Sequence, residues 1–372
     1  MLGLNFLRFL SYSAKPNEPL DLRQVYAGAQ VLDSGQNPYS DSLLKHQWKT
    51  NFTEEQLQGL PLPGAPENFL VYPPPVIASL IPLSRTNWFD ARTVVWSLCF
   101  LLIVLSGIFA SRNFLPGTVV LGALFLLSFK GTYTALILGQ HLLFSLLLIL
   151  LHLYSESKDR RLWSGFFLAC AFLKPSLALP LVFFLIAEKK FKTLLYTALF
   201  SVLILSTLLL FFGTDSVFFQ FSGWFQNMKA QMDVVYNPGH EFLRNNLTSL
   251  SSWIYSLSGI NLHFMDTPLL LISSLLVIGL RFIRRVSSLQ TLTLLITLSF
   301  LFSYHLYYDL LLFLCLLRFV DLSTLPAKFL LPFLVLYLPF GYLLPSFNFH
   351  PPILLVLVFL VFYRLPLSRE TA

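Results

Sequence analysis

Charged side chains are scarce: only 12% of the 372 residues are Asp, Glu, Lys or Arg, while 56% are hydrophobic and 38 are phenylalanine. An ordinary soluble protein carries about a quarter charged residues, so this composition excludes a soluble globular domain and calls for an integral membrane protein. Cysteine is rarer still. Cys99, Cys170 and Cys315 all lie inside apolar runs, which excludes a disulfide framework and a thiolate metal site. Missing too are a Walker-type phosphate loop, a dinucleotide fingerprint, an HExxH pair and a Gly-x-Ser-x-Gly elbow. No soluble domain, heptad repeat or low-complexity linker interrupts the chain, so an enzyme that holds a nucleotide sugar in a soluble donor domain is excluded. The excess of base over acid, a net charge of +7, does not imply nucleic acid. The basic residues sit in short clusters between hydrophobic runs, where membrane topology accounts for them.

What is present is a series of apolar runs that predicts about nine transmembrane helices plus re-entrant pieces. The runs cover residues 88–111, 114–129, 133–154, 191–213, 268–282, 289–304, 309–320, 329–345 and 350–364. Three basic clusters, Lys158/Arg160/Arg161, Lys189/Lys190/Lys192 and Arg281/Arg284/Arg285, fall on one side of this topology, the cytoplasmic one by the positive-inside rule. Residues 162–187 join the first two clusters, so they must enter and return as two short helices that turn at Lys174-Pro175. Irregular backbone at that depth is tolerated only where protein or a wet cavity satisfies it, and Lys174 is therefore expected to face something polar. The chain reads as a single membrane domain, 1–372, with two extracytoplasmic segments: 12–73, carrying an interfacial helix, and 214–267, an aromatic-rich loop. The first 15 residues are too short to span a bilayer, which takes about 20. Because the topology puts residues 1–87 outside, one more transmembrane helix is expected upstream of Met1 in the natural reading frame.

The stretch LDLRQVYAGAQVLDSGQNPY, residues 20–39, precedes the first full span. Leu22, Val25, Tyr26 and Ala29 recur at helical spacing and form one apolar stripe, with Arg23, Gln24 and Gln30 off it. Such a helix lies on a membrane surface or against other helices. Gly35, Asn37 and Pro38 end it by turn chemistry. By pattern alone Asp21, following Pro19, is a helix N-cap. A second turn-prone cluster, Val71-Tyr72-Pro73-Pro74-Pro75, leads into a short re-entrant or interfacial helix at 74–84. Lys174 lies near the middle of an apolar stretch, where a charge costs about 2.5 to 3.5 kcal/mol. That cost favours a functional partner over a side chain that merely snorkels to the interface. His305 stands among Tyr304, Tyr307, Tyr308 and Asp309, which by pattern alone is the setting of a hydrogen-bonded packing residue.

These residues resemble glycosyltransferase family 87, multi-pass membrane enzymes that use polyprenyl-phosphate sugars and share the C-type glycosyltransferase architecture. The family's opening pattern matches at Asp21, Tyr26, Ala27, Gly35, Pro38 and Tyr39. Tyr72-Pro73-Pro74, Gly139-Gln140, Lys174-Pro175, Asn246 with Ser249-Leu250, and His305 with Tyr308 follow in the expected order. Two positions depart: Val25 replaces a customary aromatic residue, and His141 follows Gly139-Gln140 where an Asn is frequent. The resemblance implies an all-α polytopic bundle and an inverting transfer of a hexose, mannose first, from a polyprenyl-phosphate donor to an extracytoplasmic lipid or glycan acceptor. It implies Asp21 as the base, and His305 beside it or at the phosphate. Lys174, Tyr26, Tyr72, Gln140, Asn246 and Tyr308 are then substrate-binding residues. The leaving phosphate already carries its negative charge, so no metal or other cofactor is called for. The expected setting is the cell inner membrane among membrane lipids, with the active site on the extracytoplasmic side and no nucleic-acid partner. The rival class is a secondary transporter or lipid flippase, which predicts matched broken helices in two halves; the sequence shows no such repeat. A non-catalytic subunit of an envelope-assembly complex is the third reading.

Overall fold

A computed structural model describes residues 20–51, 70–110, 129–236, 247–318 and 350–364. Among these residues the chain is all-α, with one isolated antiparallel bridge between Leu247 and Leu306. In chain order the helices begin with α1 (Leu20–Asp33), α2 (Asp41–Asn51), α3 (Pro74–Ser79), α4 (Ile81–Ser84) and α5 (Trp88–Ala110). Next come α6 (Lys130–Leu138), α7 (Leu142–Ser157), α8 (Arg161–Ala171), α9 (Pro175–Ala187) and α10 (Phe191–Phe212). The series closes with α11 (Thr214–Val235), α12 (Leu250–Ser258), α13 (Asp266–Phe282), α14 (Ser288–Phe302), a 3-10 segment (Tyr307–Arg318) and α15 (His350–Arg364).

Three stretches are long and apolar enough to cross a bilayer: Trp88–Ala110, Phe191–Phe212 and His263–Phe282, of 23, 22 and 20 residues, against the 20 or so that a span needs. They mark a membrane protein. Five further apolar helices are shorter, at 10–17 residues. Most of the expected 114–129 run and all of 329–345 lie outside the described residues. The expected single span at 133–154 is corrected, because the chain breaks between α6 and α7 at Gly139, whose φ of +64° no continuing helix accommodates. The expected turn at Lys174 is present. Lys174 is the non-helical residue between α8 and α9, with φ −127° and ψ 86°, and Pro175 opens α9 where a missing N–H costs nothing.

The described residues divide into two compact units. One gathers those of Met1–Leu102, Tyr133–Leu143 and Ser201–His240; the other gathers those of Ile103–Thr132, Phe144–Phe200 and Glu241–Ala372.

In the first unit α1 packs against α2, α3 and α4. The predicted stripe of Leu22, Val25, Tyr26 and Ala29 is buried, and so are Arg23 and Gln24, so the helix is held against other helices and not on a membrane surface. Arg23 is 0% exposed, and its guanidinium lies 5.6 Å from the Trp48 ring centre and 5.3 Å from that of Trp88, a cation–π arrangement. The polar excursion after Tyr39 contains a helix that the sequence reading missed, α2, which buries Leu44 and Trp48 four residues apart. The 214–267 loop is corrected as well. Its first half is α11, which buries Val217, Gln220, Trp224, Gln231, Val234 and Val235 at helical spacing. Two glutamines on the buried face hid this stripe from a hydropathy reading.

In the second unit α14 is the central helix, buried at every position from Gln290 to Leu301. It packs against α9, α12, α13, α15 and the 3-10 segment. Its start is fixed by a capping box between Ser287 and Gln290, and Gln290 also donates to the Val361 carbonyl of α15 at 3.1 Å.

Candidate functional site

Two polar clusters form, one in each unit. In the first unit Asp21 occupies the opening turn of α1. The helix starts at Leu20, so Asp21 is inside it and the N-cap expectation is corrected. The unsatisfied N–H groups of that turn still favour a carboxylate there, but the side chain is taken up by distant partners. Tyr72 donates its hydroxyl to Asp21 Oδ2 at 3.0 Å, and Gln140 donates its amide Nε2 to the same oxygen. Gln140 Nε2 also reaches the Tyr72 hydroxyl at 3.0 Å. Two donors far from Asp21 in sequence thus converge on one of its oxygens.

Each partner is positioned by its own local chemistry. Gln140 follows the Gly139 break, and its N–H returns to Ala135 O at 2.8 Å. Tyr72 is carried by a non-helical segment whose carbonyls are held one by one. Asn227 donates to Leu70 O at 3.2 Å, Trp224 to Val71 O at 2.9 Å and Tyr39 to Tyr72 O at 2.6 Å. Burial pushes the Tyr39 phenol well above its ordinary pKa, so it stays a donor. Gly223 of α11 makes room for this tyrosine, since a Cβ there would sit 2.8 Å from Tyr39 Cβ. His141 packs edge-on against the Tyr72 ring at 4.9 Å. Tyr26 is placed differently. Its hydroxyl donates to Thr86 O at 2.6 Å and its ring meets Trp88 at 5.4 Å, so it ties α1 to the segment before α5. An exposed Arg85–Asp33 pair at 2.7 Å secures the other end of α1, and that hydrogen bond holds the Asp33 carboxyl below its ordinary pKa.

In the second unit Lys174 Nζ forms an ion pair with Asp309 Oδ1. Asp309 Oδ2 lies 3.2 Å from His305 Nδ1, and His305 Nε2 lies 3.1 Å from Ser299 Oγ of α14. Lys174 also stands 5.0 Å from the centre of the Tyr308 ring. His305 is 0% exposed and Asp309 2%. The polar partner that the sequence demanded of Lys174 is therefore an internal carboxylate. The His305 backbone is fixed by Thr248, whose N–H donates to His305 O at 3.0 Å, and the neighbouring Ser249 is the N-cap of α12. Asn246 lies outside the described residues. Sequence reasoning treated Asp309 as a neighbour of His305 and passed over Ser299. The available signal was that Asp309 is the single acid in residues 299–318 and stands four positions after His305.

The chain matches the model of glycosyltransferase family 87 over residues 69–306, well over half its length. It belongs to that family. Membership carries the activity class, glycosyl transfer. No curated protein and no solved structure matches the chain. The matched segment contains Tyr72, Gln140, Lys174, Asn246 and His305, while Asp21, Tyr26, Tyr308 and Asp309 fall outside it. Among the described residues no group of three His, Cys, Asp or Glu side chains is arranged to hold a metal ion.

Proposed function

We propose that the protein is an inverting membrane glycosyltransferase that moves a hexose, mannose first, from a polyprenyl-phosphate donor to an extracytoplasmic lipid or glycan acceptor. In this reading the shorter apolar helices and the 114–129 and 329–345 runs complete a bundle of about nine spans in the cell inner membrane. The observation that carries the reading is the Asp21 carboxylate, fixed by the Tyr72 hydroxyl and the Gln140 amide. The acceptor oxygen bonds to the anomeric carbon as the bond from that carbon to the phosphate oxygen breaks. The phosphate departs with the electron pair, and Asp21 takes the hydroxyl proton. The acceptor hydroxyl becomes strongly acidic only as its oxygen bonds to carbon, so a fixed position of the carboxylate matters as much as its basicity. Lys174 serves the leaving phosphate, which competes with Asp309 for the ammonium, and His305 follows Asp309 through their shared hydrogen bond.

The test is transfer by the purified protein in lipid, using radiolabelled polyprenyl-phosphate sugars and a membrane extract as acceptor. Transfer from one donor, lowered by about a hundredfold to ten-thousandfold in Asp21→Asn, is the expected result. Transfer at an undiminished rate in Asp21→Asn overturns the assignment of the base, and no transfer from any polyprenyl-phosphate sugar overturns the donor class.

A further inference from the structure

Far along the sequence from Asp21, and within the second unit, α8 and α10 meet at unusually close range. Gly165 is the reason: a Cβ there would lie 2.5 Å from Tyr196 Cβ and 2.9 Å from the Thr197 backbone nitrogen. Polar bonds, one of them buried, brace the neighbouring turns. Ser164 Oγ lies 2.8 Å from His152 Nδ1, Thr193 donates to Glu156 Oε2 at 2.9 Å, and Lys190 pairs with Glu156 Oε1 at 2.9 Å. The two helix starts splay into an open cleft of about 700 Å³, lined by Asp159, Arg160, Arg161, Leu162, Trp163, Lys192 and Tyr196.

Its charges are unevenly committed. Arg161 is held by Asp159 at 2.7 Å and Lys190 by Glu156, whereas Arg160 and Lys192 have no ion-pair partner among the described residues. Below the cleft the surface is apolar. Trp163 is 55% exposed, and Phe191, Leu195 and Leu199, spaced four apart on one face of α10, are 58%, 59% and 56% exposed. The helix that carries them is one of the three long enough to cross the membrane. Two uncommitted cations at the head of an exposed apolar stripe, with an indole and a phenol at the boundary, match the outline of a phospholipid: an anionic headgroup above and acyl chains below.

We propose that this cleft is a binding site for an anionic membrane phospholipid, its phosphate held by Arg160 and Lys192 and its chains lying along Trp163, Leu195 and Leu199. Basic clusters in loops of membrane proteins follow topology in general. Here the structure adds an open cleft between two helix starts and exposed apolar side chains on both of those helices. The site stands independently of the glycosyl-transfer reading.

The test uses the full chain in detergent, with native mass spectrometry counting retained lipid after exchange into mixtures of phosphatidylglycerol and phosphatidylcholine. Arg160→Gln/Lys192→Gln is compared with Arg284→Gln/Arg285→Gln, which removes the same number of charges from another exposed basic turn. Selective retention of phosphatidylglycerol should fall about tenfold to a hundredfold in the first variant and hold in the second. Equal loss in both variants means diffuse surface charge and overturns the site, as does undiminished retention in Arg160→Gln/Lys192→Gln. A further arm adds millimolar glycerol phosphate. Full displacement of the lipid by it would make the cleft a soluble-phosphate site and overturn the lipid assignment, while continued retention, weakened by Trp163→Ala, supports it.

Discussion

Removing one member of the Lys174–Asp309 pair should cost far more than removing both. The side chains are 15% and 3% exposed, and breaking a buried ion pair by deleting one partner typically costs about 3 to 5 kcal/mol, because a charge is left uncompensated. Lys174→Met leaves Asp309 with the His305 donor still in place, which sets its cost near the lower end, about 3 kcal/mol. Asp309→Leu strands the ammonium and also takes the acceptor from His305 Nδ1, which sets its cost near the upper end, about 5 kcal/mol. The double variant removes both charges and leaves only the His305 N–H unsatisfied, for about 1 to 3 kcal/mol. That is well below the additive total of about 8 kcal/mol. Unfolding by SDS titration in mixed micelles, followed by tryptophan fluorescence, reads all three, and additive costs would refute the pair as a neutralised unit. Donor binding separates structure from function. If Lys174 holds the leaving phosphate, the double variant regains stability without regaining affinity; wild-type affinity in that variant would remove Lys174 from the phosphate site.

Asp21→Asn keeps an acceptor oxygen for Tyr72 and Gln140, so its unfolding curve should match wild type, whereas Asp21→Ala removes the acceptor that the two donors share and should lose about 1 to 3 kcal/mol in the same SDS titration. Gly223→Ala drives a methyl into Tyr39 and should cost about 1 to 3 kcal/mol by overpacking, lowering turnover with it, because Tyr39 holds the backbone of Tyr72; unchanged turnover would detach Tyr39 from the positioning of that residue. For Asp33 the folded pKa lies below its ordinary value because of the Arg85 hydrogen bond, so the pair's contribution is fully present above the ordinary carboxylate range and is lost as pH falls through the depressed folded value. Carboxyl titration by NMR should show the Asp33 midpoint rising in Arg85→Gln.

The paired short helices around Lys174-Pro175 were legible because two local rules agree there: proline ends the helix, and the basic clusters on either side require the chain to return. The helix of residues 20–33 was legible from its stripe, but its environment was not. Arg23 is an ordinary polar-face residue by pattern, and its burial depends on contacts such as those with the indoles of Trp48 and Trp88, brought from other helices. Helix α11 was missed because Gln220 and Gln231 share its buried face, which lowers the hydropathy contrast that a reader of sequence relies on. Asp21, Tyr72 and Gln140 were each named as site residues. The convergence of the latter two on one Asp21 oxygen could not be read, since it depends on tertiary contacts across 51 and 119 positions.

A feature shared by four of the polar residues in the two clusters helps an apolar chain to hold them. Gln140 follows the break at Gly139, Lys174 is the residue between α8 and α9, His305 lies just beyond the end of α14, and Tyr72 stands before the proline that precedes α3. Inside a helix the backbone satisfies itself, and a buried polar side chain must find every partner elsewhere. At a break the backbone also needs partners, and the same neighbours serve both: Thr248 donates to the His305 carbonyl, and Tyr39 to that of Tyr72. A break alone does not make such a place. Gly213 separates α10 from α11 with φ +79° and has nothing within 4 Å of its would-be Cβ, because it sits at the surface and water can satisfy what it opens. What distinguishes 139–140, 174–175 and 303–306 is a break whose polar side chain is largely withdrawn from solvent, with Gln140 and His305 buried and the Lys174 side chain 15% exposed, where unpaired groups are costly. There the chain has placed Gln140, Lys174 and His305, each bonded to a carboxylate carried on a helical segment: Asp21 for the first and Asp309 for the other two.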